Sequence, residues 1–102
     1  MQEIKLYSAS IEQFITSLEK STIAKVMRTI GLLEKFGALL GMPHSKKIAH
    51  GLFELRVHGA QKVRLMYAFR QNDIVLLHGF VKKAHKIPPK EIQIAKRRLL
   101  AL

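Results

Sequence analysis

This 102-residue chain has no cysteine or tryptophan and only three prolines, and its seven acidic residues stand against eighteen lysines and arginines. The missing cysteines exclude disulfides, a thiol nucleophile and thiolate ligation of a metal. The chain must therefore hold by apolar packing, as suits a reducing compartment. Its length is enough for one core, so a single domain over residues 1–102 is expected. No apolar run reaches the ~18 residues of a membrane span, and MQEIKLYSAS lacks the basic-then-apolar order of a signal peptide. The expectation is a cytoplasmic protein with no membrane partner.

Scarce acid is also unevenly distributed. Residues 1–43 hold Lys5, Lys20, Lys25, Arg28 and Lys35 against Glu3, Glu12, Glu19 and Glu34, a net of +1. Residues 44–102 hold thirteen cations against Glu54, Asp73 and Glu91, a net of +10, together with all five histidines. Such an asymmetry points to a polyanionic partner, nucleic acid before acidic protein; a merely solubilising surface is the alternative. The basic residues fall largely in strand-like segments rather than on one amphipathic helix, which argues against a membrane surface.

Periodicity gives the elements. QEIKLYS alternates as a short strand. Ser10 with Gln13 reads as a capping box ahead of Ile11, Phe14, Ile15 and Leu18. A second helix runs from about Ser21, with Ile23, Val26, Met27, Ile30, Leu33 and Phe36 on one face and Gly37 as its stop. This near-neutral half reads as structural. Residues 37–51 read as an irregular connection. Phe53, Leu55 and Val57 then alternate with Glu54, Arg56 and His58; Gly59 and Ala60 turn the chain. Val63, Leu65, Tyr67 and Phe69 alternate with Lys62, Arg64, Met66, Ala68 and Arg70. Residues 74–81 are almost wholly apolar, as in a strand covered on both faces. Pro88 and Pro89 introduce a basic C-terminal helix. The order β-α-α-β-β-β-α implies an α+β fold: one antiparallel sheet, an N-terminal helical hairpin and a C-terminal helix.

The acids are few and scattered and the histidines form no metal-binding pair, so neither a metal nor another cofactor is expected. Glycine patterns for phosphate loops or dinucleotides and a Gly-x-Ser-x-Gly elbow are absent. The remaining groups suit metal-free RNA cleavage. A base takes the proton of a ribose 2′-hydroxyl, cations stabilise the phosphorane, and an acid protonates the leaving 5′-oxygen. Strand parity puts Glu54, Arg56 and His58 on one side, with Lys62 and Arg64 beside them and Lys82, Lys83 and His85 following. Structural readings stand beside these: a plain Glu54–Arg56 ion pair, His58 as a turn residue, His78 as a buried hydrogen-bonded side chain, Tyr67 as core.

GLFELR over 51–56, VRLMY over 63–67 and LLHGFVKK over 76–83, with LLEKFG and LGMP upstream, resemble the RelE/HigB toxin superfamily, most closely its phage-derived HigB-like branch. The resemblance covers almost the full chain. It implies a compact RelE-like sheet and a ribosome-dependent mRNA endonuclease that blocks translation and growth. It also implies a cognate antitoxin, with an acidic segment to occlude the Arg64 face and a helix-turn-helix domain for autoregulation. By motif Arg56 and Arg64 correspond to phosphate-contacting arginines and Lys82 and Lys83 to the C-terminal basic group. Glu54 is a base or an orienting partner for Arg56, and His85 is the nearest candidate acid. Lys46, Lys47, His58, Lys62, Lys86, Lys90, Arg97 and Arg98 complete the expected surface for RNA and the ribosome. No tyrosine follows Tyr67, where several superfamily members end their site with one. Two other functions stay open: a ParE-like toxin that inhibits gyrase, and a non-catalytic nucleic-acid-binding module.

Overall fold

Alternating strands need cover on each apolar face, and the chain supplies two unequal covers. In the computed structural model, which describes residues 2–102, the elements are β1 (Glu3–Leu6), α1 (Ala9–Thr16), α2 (Lys20–Phe36), β2 (Ser45–Ala49), β3 (Leu52–His58), β4 (Lys62–Arg70), β5 (Asp73–Val81) and α3 (Pro89–Leu100). The five strands form one sheet in the order β1-β5-β4-β3-β2. The α+β class, the helical hairpin and the C-terminal helix are as the sequence implies.

The hairpin face carries the larger core. Leu55, Val57, Val63, Leu65, Tyr67, Ile74 and Leu76 meet Ile11 and Ile15 of α1, Leu18 just beyond it, and Val26, Ile30 and Leu33 of α2. Gly79 permits the closest approach there: a Cβ on it would lie 2.7 Å from the Phe14 ring and 2.8 Å from Leu65. On the opposite face Leu52, Met66, Ala68, Val75, Leu77 and Phe80 pack with Ala95 of α3. The almost wholly apolar run of β5 is therefore buried on both sides. A register shift lets Met66 face His78 while Tyr67 faces Leu76. This bulge turns both Leu77 and His78 toward α3, as an extra residue in one strand does.

Polar contacts fix α3 on that face. His78 Nε2 lies 3.0 Å from Glu91 Oε1 and its ring stacks on Phe80 at 5.8 Å. Near the other end Arg98 Nη1 donates to the Leu77 carbonyl at 2.7 Å, and its guanidinium covers the Tyr7 ring at 5.2 Å. His78 is thus a half-buried, hydrogen-bonded structural side chain. Arg98, expected on an RNA surface, serves instead to dock α3, a role that apolar periodicity does not reveal.

Three local expectations are corrected. The sheet is mixed, because β1 runs parallel to β5; no tight turn joins the two, so nothing forces them antiparallel. Residues 45–49, expected within an irregular connection, form edge strand β2 paired antiparallel to β3. Its lysines and shortness hide its alternation, and both traits are usual on sheet edges. Ser45 hydrogen-bonds the buried Tyr67 hydroxyl and ties this edge to the core. Finally, Ser10 is not a cap. The helix begins at Ala9, and Ser8 at its N-cap makes no side-chain capping bond but pairs with the Ser10 hydroxyl at 2.6 Å.

Candidate functional site

β3 and β4 are adjacent, and their register places Arg56 directly opposite Arg64 on the α3 side of the sheet. Like charges in this arrangement repel. Glu54, one same-face step before Arg56, lies between them: Oε1 is 3.6 Å from Arg56 Nε and Oε2 is 3.7 Å from Arg64 Nε. Side-chain exposure is 2% for Arg64, 5% for Glu54 and 24% for Arg56, so only Arg56 reaches solvent. Arg64 also donates from Nη1 to the Val63 carbonyl at 3.1 Å. Burial makes its guanidinium a weaker base than usual, the Glu54 carboxylate opposes that effect, and Arg56 reinforces it. Both ion-pair distances exceed hydrogen-bond length, and Glu54 Oε2 and Arg56 Nε are buried without a hydrogen-bond partner.

The end of β5 builds one wall over this cluster. Lys82 N donates to the Lys62 carbonyl at 2.7 Å, extending the ladder one residue past the strand. Parity then turns Lys82 to the same face as Phe80 and Arg64. The bend at residues 84–86 adds His85 and Lys86, both exposed. Lys46, cross-strand from Glu54 on β2, closes the other side. Together Lys46, Glu54, Arg56, Arg64, Lys82, His85 and Lys86 line a groove of about 380 Å³ with apolar patches at Ile87 and Ile92. Its one carboxylate is already flanked by two guanidiniums, leaving an open face of lysines, Arg56 and an imidazole. That composition suits a phosphodiester.

The structure thus unites five of the six residues expected to be catalytic. Lys83 is the exception; it lines the adjoining cleft with Lys62, Lys82 and His85. Arg64 is present but forms the floor, shielded from direct contact by its burial. Of the expected RNA surface, Lys46 and Lys86 line the groove and Lys62 borders it. Lys47 pairs opposite Phe53, so its parity differs from that of Lys46. Lys90 is exposed at the start of α3 and does not line the groove. Arg97 and Arg98 lie apart, beside Tyr7 and Ile94.

His58, cross-strand from Lys62, lies at the far side of Arg56 in a second cavity. His58 is exposed, yet slight desolvation and the charges of Arg64, Arg56, Lys62 and Lys82 hold its imidazole below the ordinary 6.5, keeping it neutral at pH 7. Tyr67 proves to be core: burial raises its phenol above the ordinary 10.0 against the opposing Ser45 hydrogen bond. Among the described residues no three of His, Asp and Glu cluster closely enough to hold a metal ion. Sequence reasoning missed Lys25, Arg28 and His44, which share the second cavity with Arg56 and His58. The available signal was the Lys25-x-x-Arg28 spacing, one turn apart on the polar face of α2.

Comparison with known proteins follows the same lines. Residues 13–100 match the family described as phage-derived protein Gp49-like. No curated protein matches the sequence. A chain of the heterotetrameric YoeB–YefM toxin–antitoxin complex from Staphylococcus aureus is similar, with 18% identity and a TM-score of 0.54 over 74% of this chain and 91% of that one. A second YoeB–YefM complex from Staphylococcus aureus gives 19% identity and a TM-score of 0.57 over 83% and 99%. At these identities the likeness is one of fold.

Proposed function

The chain belongs to the phage-derived Gp49-like family, a RelE-type toxin family, and from that premise we propose that it is the toxin of a toxin–antitoxin pair that cleaves mRNA on the ribosome without a metal. The observation that carries this reading is the groove in which Arg56, Lys82, Lys46 and Lys86 surround a lone buried carboxylate, with His85 at the rim. Arg56 and Lys82 bind the non-bridging oxygens of a phosphodiester. Arg64 acts through Glu54 and its buried charge rather than by touching RNA.

In the free protein Glu54 aims Arg56. When a phosphate draws the partly exposed guanidinium away, Glu54 Oε1, the oxygen that faced Arg56, accepts the proton of the ribose 2′-hydroxyl. The 2′-oxygen attacks the adjacent phosphorus, and the bond from phosphorus to the 5′-oxygen breaks. His85 in its protonated form delivers a proton to that leaving oxygen. The products are a 2′,3′-cyclic phosphate and a 5′-hydroxyl. Either proton-transfer group contributes about 100- to 10,000-fold. A cationic groove of this kind is also the natural landing site for an acidic antitoxin segment that folds on contact.

The test is induction without antitoxin, paired with purified protein on programmed ribosomes. The parent chain arrests growth and leaves cyclic-phosphate ends, whereas Arg56→Ala and His85→Ala leave the transcript intact. Uncut translated mRNA with the parent chain sinks the proposal. Inhibited supercoiling by purified gyrase alongside intact RNA replaces it with the gyrase-directed reading.

A further inference from the structure

The groove ends at Arg56, but the cation track does not. On the far side of that side chain, between α2 and β3, lies a second cavity of about 250 Å³ lined by Lys25, Arg28, His44, Arg56 and His58. Among the described residues no carboxylate lines it. Lys25 is steadied by a hydrogen bond of 3.3 Å from its Nζ to the His58 carbonyl. Arg28 is exposed, and among the described residues it makes no side-chain hydrogen bond or ion pair. Thr29, also on the lining, is no competing ligand, because its hydroxyl donates to the Lys25 carbonyl at 2.8 Å. Arg56 is held between the two concavities by Glu54 on one side and by Met42 Sδ, 3.6 Å from its Nη1, on the other.

We propose that this cavity is a second phosphate subsite, in which Lys25 and Arg28 hold the RNA phosphate neighbouring the one bound in the groove. The subsite rests on the RNA-cleaving reading for its ligand and adds to it a direction: the strand crosses the sheet over Arg56, from His85 toward α2. Arg56 lines both concavities, so one phosphodiester chain can occupy both, and this continuity favours RNA over a separate acidic peptide. Arg28 supplies the planar fork and Lys25 the point charge. His58, neutral at pH 7, adds a ring edge without further repulsion. Lys25 and Arg28 are positioning residues: they fix which phosphate lies against Arg56 and Lys82, and they touch no reacting atom.

The experiment uses a fluorescent RNA oligonucleotide methylated at every 2′-oxygen, which the chain can bind but not cut. Its affinity is measured by anisotropy against salt concentration for the parent chain, Arg28→Ala, Lys25→Ala and the control Arg70→Ala, which removes an equal charge from the exposed end of β4. Each single-strand phosphate contact contributes about 0.7 to the slope of log affinity against log salt. Arg28→Ala is expected to lower that slope by about 0.7 and to weaken binding roughly tenfold, with Arg70→Ala unchanged. Equal slopes for Arg28→Ala and Arg70→Ala overturn the proposal, as does failure of the parent to bind. An Arg28-dependent slope with a poly-glutamate peptide but not with RNA overturns it too, assigning the cavity to an acidic protein. The probe cannot be cleaved, so lost cleavage defeats the enzymatic reading while leaving this subsite standing, and the reverse outcome separates them equally.

Discussion

Replacing Glu54 with glutamine is the most informative perturbation of the fold. The change keeps the volume and one acceptor but removes the only negative charge beside two guanidiniums. Arg64, with its side chain 2% exposed, then faces Arg56 across the strands with no counter-charge between them. At 3.7 Å and an effective dielectric near 20, the Glu54–Arg64 attraction is about 4.5 kcal/mol. Desolvation of the pair already offsets part of this, yet the loss of one partner leaves the other charge buried and unmatched, which typically costs about 3–5 kcal/mol. The distances here exceed hydrogen-bond length and Arg56 is partly solvated, so the cost falls at or below the lower end of that range. A destabilisation of about 2–3 kcal/mol is expected, or a melting temperature lower by roughly 10–20 °C for a domain of this size.

Thermal and urea melts measure it directly. A second variant, Glu54→Gln with Arg64→Met, should recover much of the loss, because it removes the orphaned charge and fills the site with apolar volume. A Glu54→Gln protein melting within about 2 °C of the parent refutes the view that this carboxylate holds the groove floor together. So does a double variant less stable than the single one.

Other expectations concern the supports around that floor. Gly79→Ala drives a methyl to 2.7 Å from the Phe14 ring and 2.8 Å from Leu65, so urea titration should show a loss of about 1–3 kcal/mol. Tyr67→Phe strands the buried Ser45 hydroxyl and should cost about 1–3 kcal/mol, with amide exchange rising first in β2. The raised Tyr67 phenol favours the folded state below pH 10.0, and that contribution is lost as pH rises through the folded value. The depressed His58 imidazole has the opposite dependence on rising pH. Its unfolded form binds the proton first, so stability holds above the ordinary 6.5 and falls as pH drops through the folded value. Proton NMR should follow His58 to a midpoint below 6.5, and bound polyanion should move that midpoint upward.

Much of this is legible in the amino-acid sequence alone. Alternation in 52–58 and 62–70 assigned the Glu54–Arg56–His58 face correctly, because side-chain parity along a strand admits no other outcome. The almost wholly apolar run over residues 74–81 likewise announces cover on both faces. What failed had a common cause: the deciding interaction was long-range. Edge strand β2 is held by pairing to β3 and by the Ser45–Tyr67 bond, neither visible in the local pattern around Lys46 and Lys47. Parallel pairing of β1 with β5 depends on where the hairpin returns the chain. Arg98 looks like one more surface cation until its contact with the Leu77 carbonyl is seen. Lys25 and Arg28 lie in a nearly neutral half of the chain that gives no sign of a site, yet folding brings that helix face against the end of β3.

The position of the groove follows from how far α3 reaches. One face of the sheet is covered by two helices, but the other has a single helix of 12 residues, and its apolar contacts end at Leu52, Met66 and Phe80. Beyond them the same face continues through Glu54, Arg56 and Arg64, side chains that no apolar cover could take at acceptable cost. The chain resolves this by bending at residues 84–86, so that the segment between β5 and α3 forms a wall of Lys82, His85 and Lys86 rather than a lid. The buried Glu54–Arg64 pair closes the core beneath, and Arg56 remains the one member free to exchange its partner for a ligand. Stability and ligand capture therefore converge on one carboxylate. A phosphate that takes Arg56 must weaken one of the two contacts of Glu54, and the same anion restores the lost counter-charge to the guanidinium. The groove can bind an anion without exposing an unpaired charge in either state.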